Sequence, residues 1–383
     1  MTDIENYSQL IDAIFGNSTT SFNTTLKHTN NVTGALNNAQ NSDFKANFIA
    51  RLERLKNIYS NNPIYLREII VQVNEIQSAK NWDGAFAELS AFDHLNSNQD
   101  YLFGPIKPNV TLRSSRSLAG EMGKQESNLD GFLEQHRIYF DVKCLKDNVN
   151  EILEGIYQEF KKKYLCTTEI GIIAEYALDI TYEDLQTNRG QLLTEMKDNI
   201  TVLKKQTFLQ SKIIKNLSYR IQWGAGLNSG IRTYDPFSHA ENFHKTIFKY
   251  ANKFLKSNPS LIVLVVFPWY NLTFTNFASI NLSFYRSLSR RFFCQYKHDK
   301  SKFNTLIPTF TGTQSINTVS RHLSGIIILE DDTILSKNPN ITNVKSYIYL
   351  NPNARKPIIR GMATTYLHSL NNEQYDDFVS DNY

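Results

Sequence analysis

Residues Ser127–Leu145 read SNLDGFLEQHRIYFDVKCL, and apolar and polar side chains alternate along them with a period of two. That period marks strands that bury one face. Folded as a hairpin with its turn between Gln135 and His136, the segment pairs Leu133 with Ile138, Phe132 with Tyr139, Gly131 with Phe140 and Asp130 with Asp141. One face then carries Leu129, Gly131, Leu133, Ile138, Phe140, Val142 and Cys144. The other carries Asp130, Phe132, Glu134, Arg137, Tyr139, Asp141 and Lys143. A slip of one residue would bury the charges and expose the apolar set, so the register is well specified.

This register sets two carboxylates opposite each other, with Cβ atoms about 4.5–5.5 Å apart. At an effective dielectric near 20 their repulsion is on the order of 3 kcal/mol, which calls for a counter-charge. Lys143 shares their face. A divalent cation answers the demand better, since paired carboxylates with a few waters are the usual cradle of Mg²⁺. The backbone carbonyl of Val142 offers a further oxygen ligand. Upstream, Trp82 to Leu95 has helical spacing (Ala85, Leu89, Phe92), with Glu88 at the border of its apolar stripe. A carboxylate there is expected to have a partner, and packing this helix on the hairpin would bring Glu88 to the same cation. Extended segments at Val110 to Leu118, Asn128 to Leu133 and Ile138 to Leu145 follow, the first two separated by Ala119-Gly120-Glu121-Met122-Gly123. An amphipathic helix from Ile152 to Tyr164 comes next.

A helix glutamate, an aspartate on one strand and Asp141-Val142-Lys143 on the next, followed by a helix, resemble the PD-(D/E)XK nuclease superfamily. The resemblance covers about residues 82–164 and extends to His239–Phe267, where a helix feeds an apolar strand. It implies an α/β (α+β) fold with a restriction-endonuclease-like core, a central mixed sheet flanked by helices. Asp130 matches the first acid, Asp141 the second, Lys143 the lysine and Glu88 the helix carboxylate; Leu129 stands where the family has its nominal proline. The resemblance further implies that Asp130, Asp141, Val142 and Glu88 bind Mg²⁺, with Mn²⁺ able to substitute, and that Lys143 orients water and stabilises the phosphate. A type II restriction endonuclease or related defence nuclease is the implied activity. Double-stranded DNA would be its substrate, a homodimer its form and a cognate methyltransferase its companion. The rivals are a non-catalytic nucleic-acid-binding module on the same core, and a repair or RNA-processing nuclease. A solvated polar face with surface ion pairs is the bland reading of the same residues.

Further out, residues 1–80 read as a helical region: a helix from Ile4 to Phe15, a Ser/Thr/Asn-rich linker from Gly16 to Ser42, and helices from Ser42 to Ile58, capped by Ser42 or Asp43, and from Ile64 to Ile76. Residues 81–270 form the expected nuclease core, with a helical insertion around 180–238. Ile170 to Tyr176 and Leu261 to Phe267 are buried strands, Tyr182 to Ile214 is mostly helical, Gln222 to Arg232 is a glycine-bearing loop, and His239 to Leu255 is a helix. Residues 271–383 form a DNA-contacting, sheet-completing extension with strands at Leu323 to Leu329 and Tyr347 to Leu350; its last dozen residues are expected to fray.

Other signals compete. Lys161-Lys162-Lys163 would complement a helix dipole or contact phosphates. Arg286, Arg290, Arg291 and Lys297, interleaved with Phe292, Phe293 and Tyr296, suit phosphate contact and base stacking. Gly155-Ile156-Tyr157 spells half of another nuclease signature but falls inside a helical pattern, which makes Ile156 and Tyr157 core residues. The Gly224–Gly230 loop lacks a P-loop lysine, Glu330-Asp331-Asp332 reads as a turn, and His136 as an exposed turn residue.

Composition bounds the rest. Of 383 residues, 41% are hydrophobic and 20% charged, values of a folded multidomain chain. The net charge of +4 permits a polyanionic partner without requiring one. Three cysteines (Cys144, Cys166, Cys294) support neither a disulfide framework nor a four-cysteine zinc site. The start, MTDIENYSQL, lacks a signal peptide's pattern, and no apolar run reaches membrane-spanning length. A soluble cytoplasmic protein with no membrane partner is expected.

Overall fold

The computed structural model describes the chain except for residues 1–2, 17–29, 39–40, 79, 98–104, 147, 166–169, 178–179, 204–207, 224–228, 232–234, 270–277, 339–342, 359–360 and 382–383. In chain order its elements begin with helices α1 (Asp3–Phe15), α2 (Asn31–Asn37), α3 (Ser42–Tyr59), α4 (Pro63–Glu75) and α5 (Trp82–Ser97). Strands β1 (Lys107–Arg113), β2 (Glu126–Leu133) and β3 (Ile138–Cys144) follow. Next come α6 (Asn148–Phe160), β4 (Ile170–Tyr176), α7 (Tyr182–Asp198), α8 (Ile200–Leu203), β5 (Leu209–Gln210), β6 (Leu217–Trp223), β7 (Ser229–Ile231) and α9 (Pro236–Lys249). The chain continues through β8 (Ser260–Val266), α10 (Ala278–Phe293), α11 (Ile316–Ser320), β9 (Gly325–Asp331), β10 (Val344–Leu350), α12 (Met362–Leu370) and β11 (Gln374–Asp376). The fold is mixed α/β. No described helix is long and apolar enough to cross a membrane.

Two compact units divide the chain: residues 1–145 with 244–383, and the intervening 146–243. The first is built on a seven-stranded sheet in the order β1-β2-β3-β8-β9-β10-β11. Antiparallel strands β1, β2 and β3 lead into a parallel centre of β3, β8 and β9. The centre explains the sequence of β8, SLIVLVV: a strand flanked by parallel neighbours and covered on both faces is apolar throughout rather than alternating, and all seven of its residues are buried. The N-terminal helices and the C-terminal strands therefore share one core with the hairpin rather than forming separate regions.

Helix α5 lies at the heart of that core. From Trp82 to Asn96 every side chain but that of Glu88 is buried. Helix α3 presents Phe44, Phe48, Leu52, Leu55 and Tyr59, spaced by three and four residues, to the same core. Pro63 opens α4, with the Asn62 side chain accepting the Tyr65 N–H. The polar residues on α5 have partners. Arg51 of α3 bonds Asp93 at 3.2 Å and Asp331 of β9 at 2.7 Å, and Ser90 donates to Asp331. Asp331 thus belongs to a buried ion network that joins two helices to the sheet, not to a simple turn.

The second unit has its own core. A four-stranded sheet, β5-β6-β4-β7, packs with α6 and α7 around Ile156, Tyr157, Phe160, Ile172, Leu192 and Tyr219. Ile156 and Tyr157 are core residues, as the helical pattern required. The expected helical stretch to Ile214 gives way to β5, and the glycine-bearing segment is bounded by β6 and β7, with residues 224–228 outside the described set. These strands are two, seven and three residues long; the short ones carry almost no periodic signal.

Other differences are local. The linker from Gly16 to Ser42 contains α2, capped by Asn30. Asn41, not Ser42 or Asp43, precedes α3, and it makes no side-chain cap. The described part of the C-terminal dozen, to residue 381, is held in place where fraying was expected: β11 pairs with β10 and Phe378 is fully buried. Cys294 is a free thiol, Cys144 is half-buried at the end of β3, and Cys166 lies outside the described residues.

The hairpin keeps its expected register at Leu133↔Ile138, Phe132↔Tyr139 and Gly131↔Phe140. Its polar face is open to water only at the turn, where Glu134 and Arg137 are exposed; Tyr139 and Asp141 are buried. Leu129, expected beside Leu133, packs instead with Leu112, Tyr139 and Leu255; it pairs with Val110 of β1 and lies beyond the last pair that β2 makes with β3. Gly131 is required by contact: a Cβ there would lie 2.0 Å from the Phe140 ring, itself fully buried against Phe92. Gly131→Ala is therefore expected to lower stability by roughly 1–3 kcal/mol through overpacking, read as a fall in the urea midpoint.

His322 is buried, and its Nδ1 lies 3.1 Å from the Leu255 carbonyl. Burial, reinforced by Arg355, pushes its pKa down to about 4, below the ~6.5 of an unfolded histidine. The unfolded chain thus binds the extra proton first, so the contribution is complete above about pH 6.5 and is lost as pH falls toward 4, on the order of 3 kcal/mol. Acid titration of stability should show a smaller loss across that window in His322→Gln than in the wild type.

Candidate metal and phosphate site

The pairing of β2 with β3 stops at Gly131↔Phe140. Beyond it β3 continues beside β8, with Asp141↔Ile262 and Lys143↔Leu264, while β2 continues beside β1. Asp130 and Asp141 therefore do not form the expected cross-strand pair. Asp130 instead accepts the Val142 N–H through Oδ2 at 2.6 Å, supplying the bond the ladder no longer makes.

Lys143 fills the opening. Its Nζ lies 2.7 Å from Asp141 Oδ2, 2.7 Å from the Val142 carbonyl and 3.7 Å from Asp130 Oδ2. The ring of Tyr250 lies under the ammonium, 5.5 Å from Nζ to centroid. A second lysine, Lys253, reaches Asp141 Oδ1 at 3.0 Å and donates to the Asn128 carbonyl of β2. Asp141 is wholly buried between the two ammonium groups. Sequence reasoning missed Tyr250 and Lys253. Both come from the turn after α9, and at more than a hundred residues from Asp141 no spacing rule links them to it.

Glu88 faces this group from α5. It and Asp130 line a cleft with Phe92, Pro108 and Asn109. Asn109, beside Asp130 in β1, has a left-handed backbone (φ 51°) and donates to Glu68. Burial first, and then the charges of Asp130 and Asp141, raise the Glu88 pKa well above the carboxylate range. Burial and Asp141 push Asp130 up to about 6. For Lys143, burial alone would lower the pKa, but Asp141 and Asp130 outweigh it and hold the ammonium above its ordinary value.

These observations test the fit of a divalent cation. The oxygens around the Lys143 ammonium are the Asp130, Asp141 and Val142 donors that the sequence suggested for Mg²⁺, hard ligands of the type that ion takes. The crowded carboxylates need positive charge, and the ammonium supplies it in this structure. The donor set fits, provided that Lys143 moves aside. Glu88 does not complete a three-acid shell: among the described residues no group of three His, Cys, Asp or Glu side chains gathers as a metal site.

The expected DNA-contacting residues fare unevenly. Arg286 pairs with Asp376 and Asp381, and Arg290 with Asp381. Phe292 and Phe293 are buried in the core and cannot stack on bases. Lys161 is buried as well, while Lys162 is exposed and belongs to the second unit. Arg291 and Lys297 are half-buried. His136 is half-exposed and stacks on Tyr366.

If Lys143 stands where a cation would bind, Lys143→Met should tighten Mn²⁺ binding several-fold relative to the wild type. Electron paramagnetic resonance of free Mn²⁺ measures this directly, and unchanged affinity would show that the ammonium is no competitor.

No family model, no curated protein and no solved structure matches this chain.

Proposed function

We propose that the chain is a Mg²⁺-dependent nuclease that hydrolyses phosphodiester bonds in double-stranded DNA, of the PD-(D/E)XK type and most simply a type II restriction endonuclease. The observation that carries this reading is the gathering of Asp130, Asp141 and Lys143 where the β2–β3 ladder opens, with Glu88 facing them from α5. The order of elements supports it too: one helix, three antiparallel strands, then a strand parallel to the third.

In this reading Asp130, Asp141 and the Val142 carbonyl hold the cation, and Mn²⁺ can replace Mg²⁺. The bound ion would polarise the phosphate and lower the pKa of a bound water. Lys143, once displaced from among the oxygens, would orient the attacking water and neutralise charge on the phosphate. Glu88, which holds a proton more tightly than an ordinary carboxylate, would act on a water in the cleft beside Asp130. A homodimer would cut both strands at a symmetric site, and a methyltransferase would protect the host's copies of it.

A second reading has its own support. Both oxygens of Asp141 are already taken by lysines, as suits a nuclease-like core that binds nucleic acid without cutting it. Plasmid, single-stranded DNA and RNA incubated with Mg²⁺ or with chelator separate the two. The nuclease reading expects Mg²⁺-dependent cutting of plasmid that falls roughly a hundredfold or more in Asp141→Asn and Lys143→Ala, with melting temperature and DNA binding largely kept. Cutting that survives Asp141→Asn would place the chemistry elsewhere, and binding with no cutting would favour the second reading.

A further inference from the structure

We infer that Lys253 is a positioning residue of this site, one that holds Asp141 in place while Lys143 gives way to the cation; this rests on the nuclease reading above. The two lysines differ in what they grip. Lys143 contacts Asp141 Oδ2, the Val142 carbonyl and, more distantly, Asp130, all within its own strand or across the opening. Lys253 takes the opposite oxygen, Asp141 Oδ1, and the Asn128 carbonyl two residues from Asp130. It therefore ties β3 to β2 just where the ladder between them has ended.

Its own backbone is anchored to the same strand. The turn Ala251–Lys253 follows α9, and the Asn252 carbonyl accepts the Ser127 hydroxyl of β2 at 2.9 Å. The Lys253 N–H bonds the Tyr250 carbonyl at 2.8 Å, so the turn that places Lys253 also places the ring beneath Lys143. A cation entering beside Asp141 Oδ2 would displace Lys143 but leave the Oδ1–Lys253 pair intact. Lys253 would then keep the carboxylate unrotated and aimed at the opening.

Electrostatics and positioning predict opposite signs for one substitution, which makes the idea testable. As a mere nearby positive charge, Lys253 would repel a cation, and Lys253→Met would tighten Mn²⁺ binding. As a positioning residue its loss should weaken Mn²⁺ binding about tenfold. Lys253→Arg, which keeps the charge and a donor, should return to within about threefold of the wild type. With plasmid as substrate, Lys253→Met should lower kcat about tenfold or more while leaving KM within about twofold. Mn²⁺ binding in Lys253→Met that equals or exceeds the wild type, or an arginine variant no better than methionine, overturns the inference. Wild-type protein that binds no Mn²⁺ overturns the nuclease reading and this inference together, so the two failures are told apart by the wild type alone.

Discussion

A carboxylate with no exposed surface has to be neutralised where it lies, and Asp141 is such a group. Desolvating an ion costs several kcal/mol, and the cost is recovered only when charge and hydrogen bonds surround it closely. Here two ammonium groups do so, one per oxygen. Each is itself tied to backbone: Lys143 to the Val142 carbonyl and Lys253 to that of Asn128. The opening in the ladder, the turn after α9 and the partial burial of Glu88 are all arranged around this one charge. It lies on β3 just past Gly131↔Phe140, the last pair that β3 makes with β2.

The same sheet holds a second buried carboxylate, and the contrast is instructive. Asp331 on β9 is neutralised by Arg51, whose planar guanidinium also takes Asp93 and is wholly buried. A guanidinium fork that grips two carboxylates is rigid and pre-organised, and the network welds α3 and α5 to the sheet. Asp141 is served instead by lysines that retain 26% and 17% side-chain exposure. An ammonium on a four-carbon stem can leave one set of oxygens for another without rebuilding its surroundings. The arginine network reads as architecture and Lys143 as the group able to exchange.

Much of this was legible in the sequence because it rests on local periodicity. The faces of α3 and α5, the hairpin register up to Gly131 and the apolar run of β8 follow from spacing alone. What escaped depends on contacts distant in the chain. The ladder stops at Gly131 although β2 keeps β1 and β3 keeps β8 on their other edges, and no local pattern encodes that parting. Lys253 carries no local signal that sets it apart from other lysines. Arg286 and Arg290 looked like phosphate ligands until Asp376 and Asp381 came round from a tail expected to fray. Lys161 looked exposed, although its residue is buried. In each case charge and composition were read correctly, and the partner was missed.

The balance of charge around Asp141 bears on how a nucleic acid could approach. Fully ionised, Glu88, Asp130 and Asp141 oppose only two ammonium groups, so the cluster presents a net negative field to a phosphate. Raised proton affinity at Glu88 and Asp130 is the protein's own partial relief of that field. A phosphodiester brings further negative charge and would be repelled unless positive charge came with it. On the proposed reading a divalent cation reverses the sign of the opening, and the Lys143 ammonium, freed from the carboxylates, is left to face the phosphate. Metal dependence would then begin at substrate entry, before any bond is broken. It follows from two carboxylates and two lysines sharing one gap in a sheet, with a third carboxylate facing them from α5.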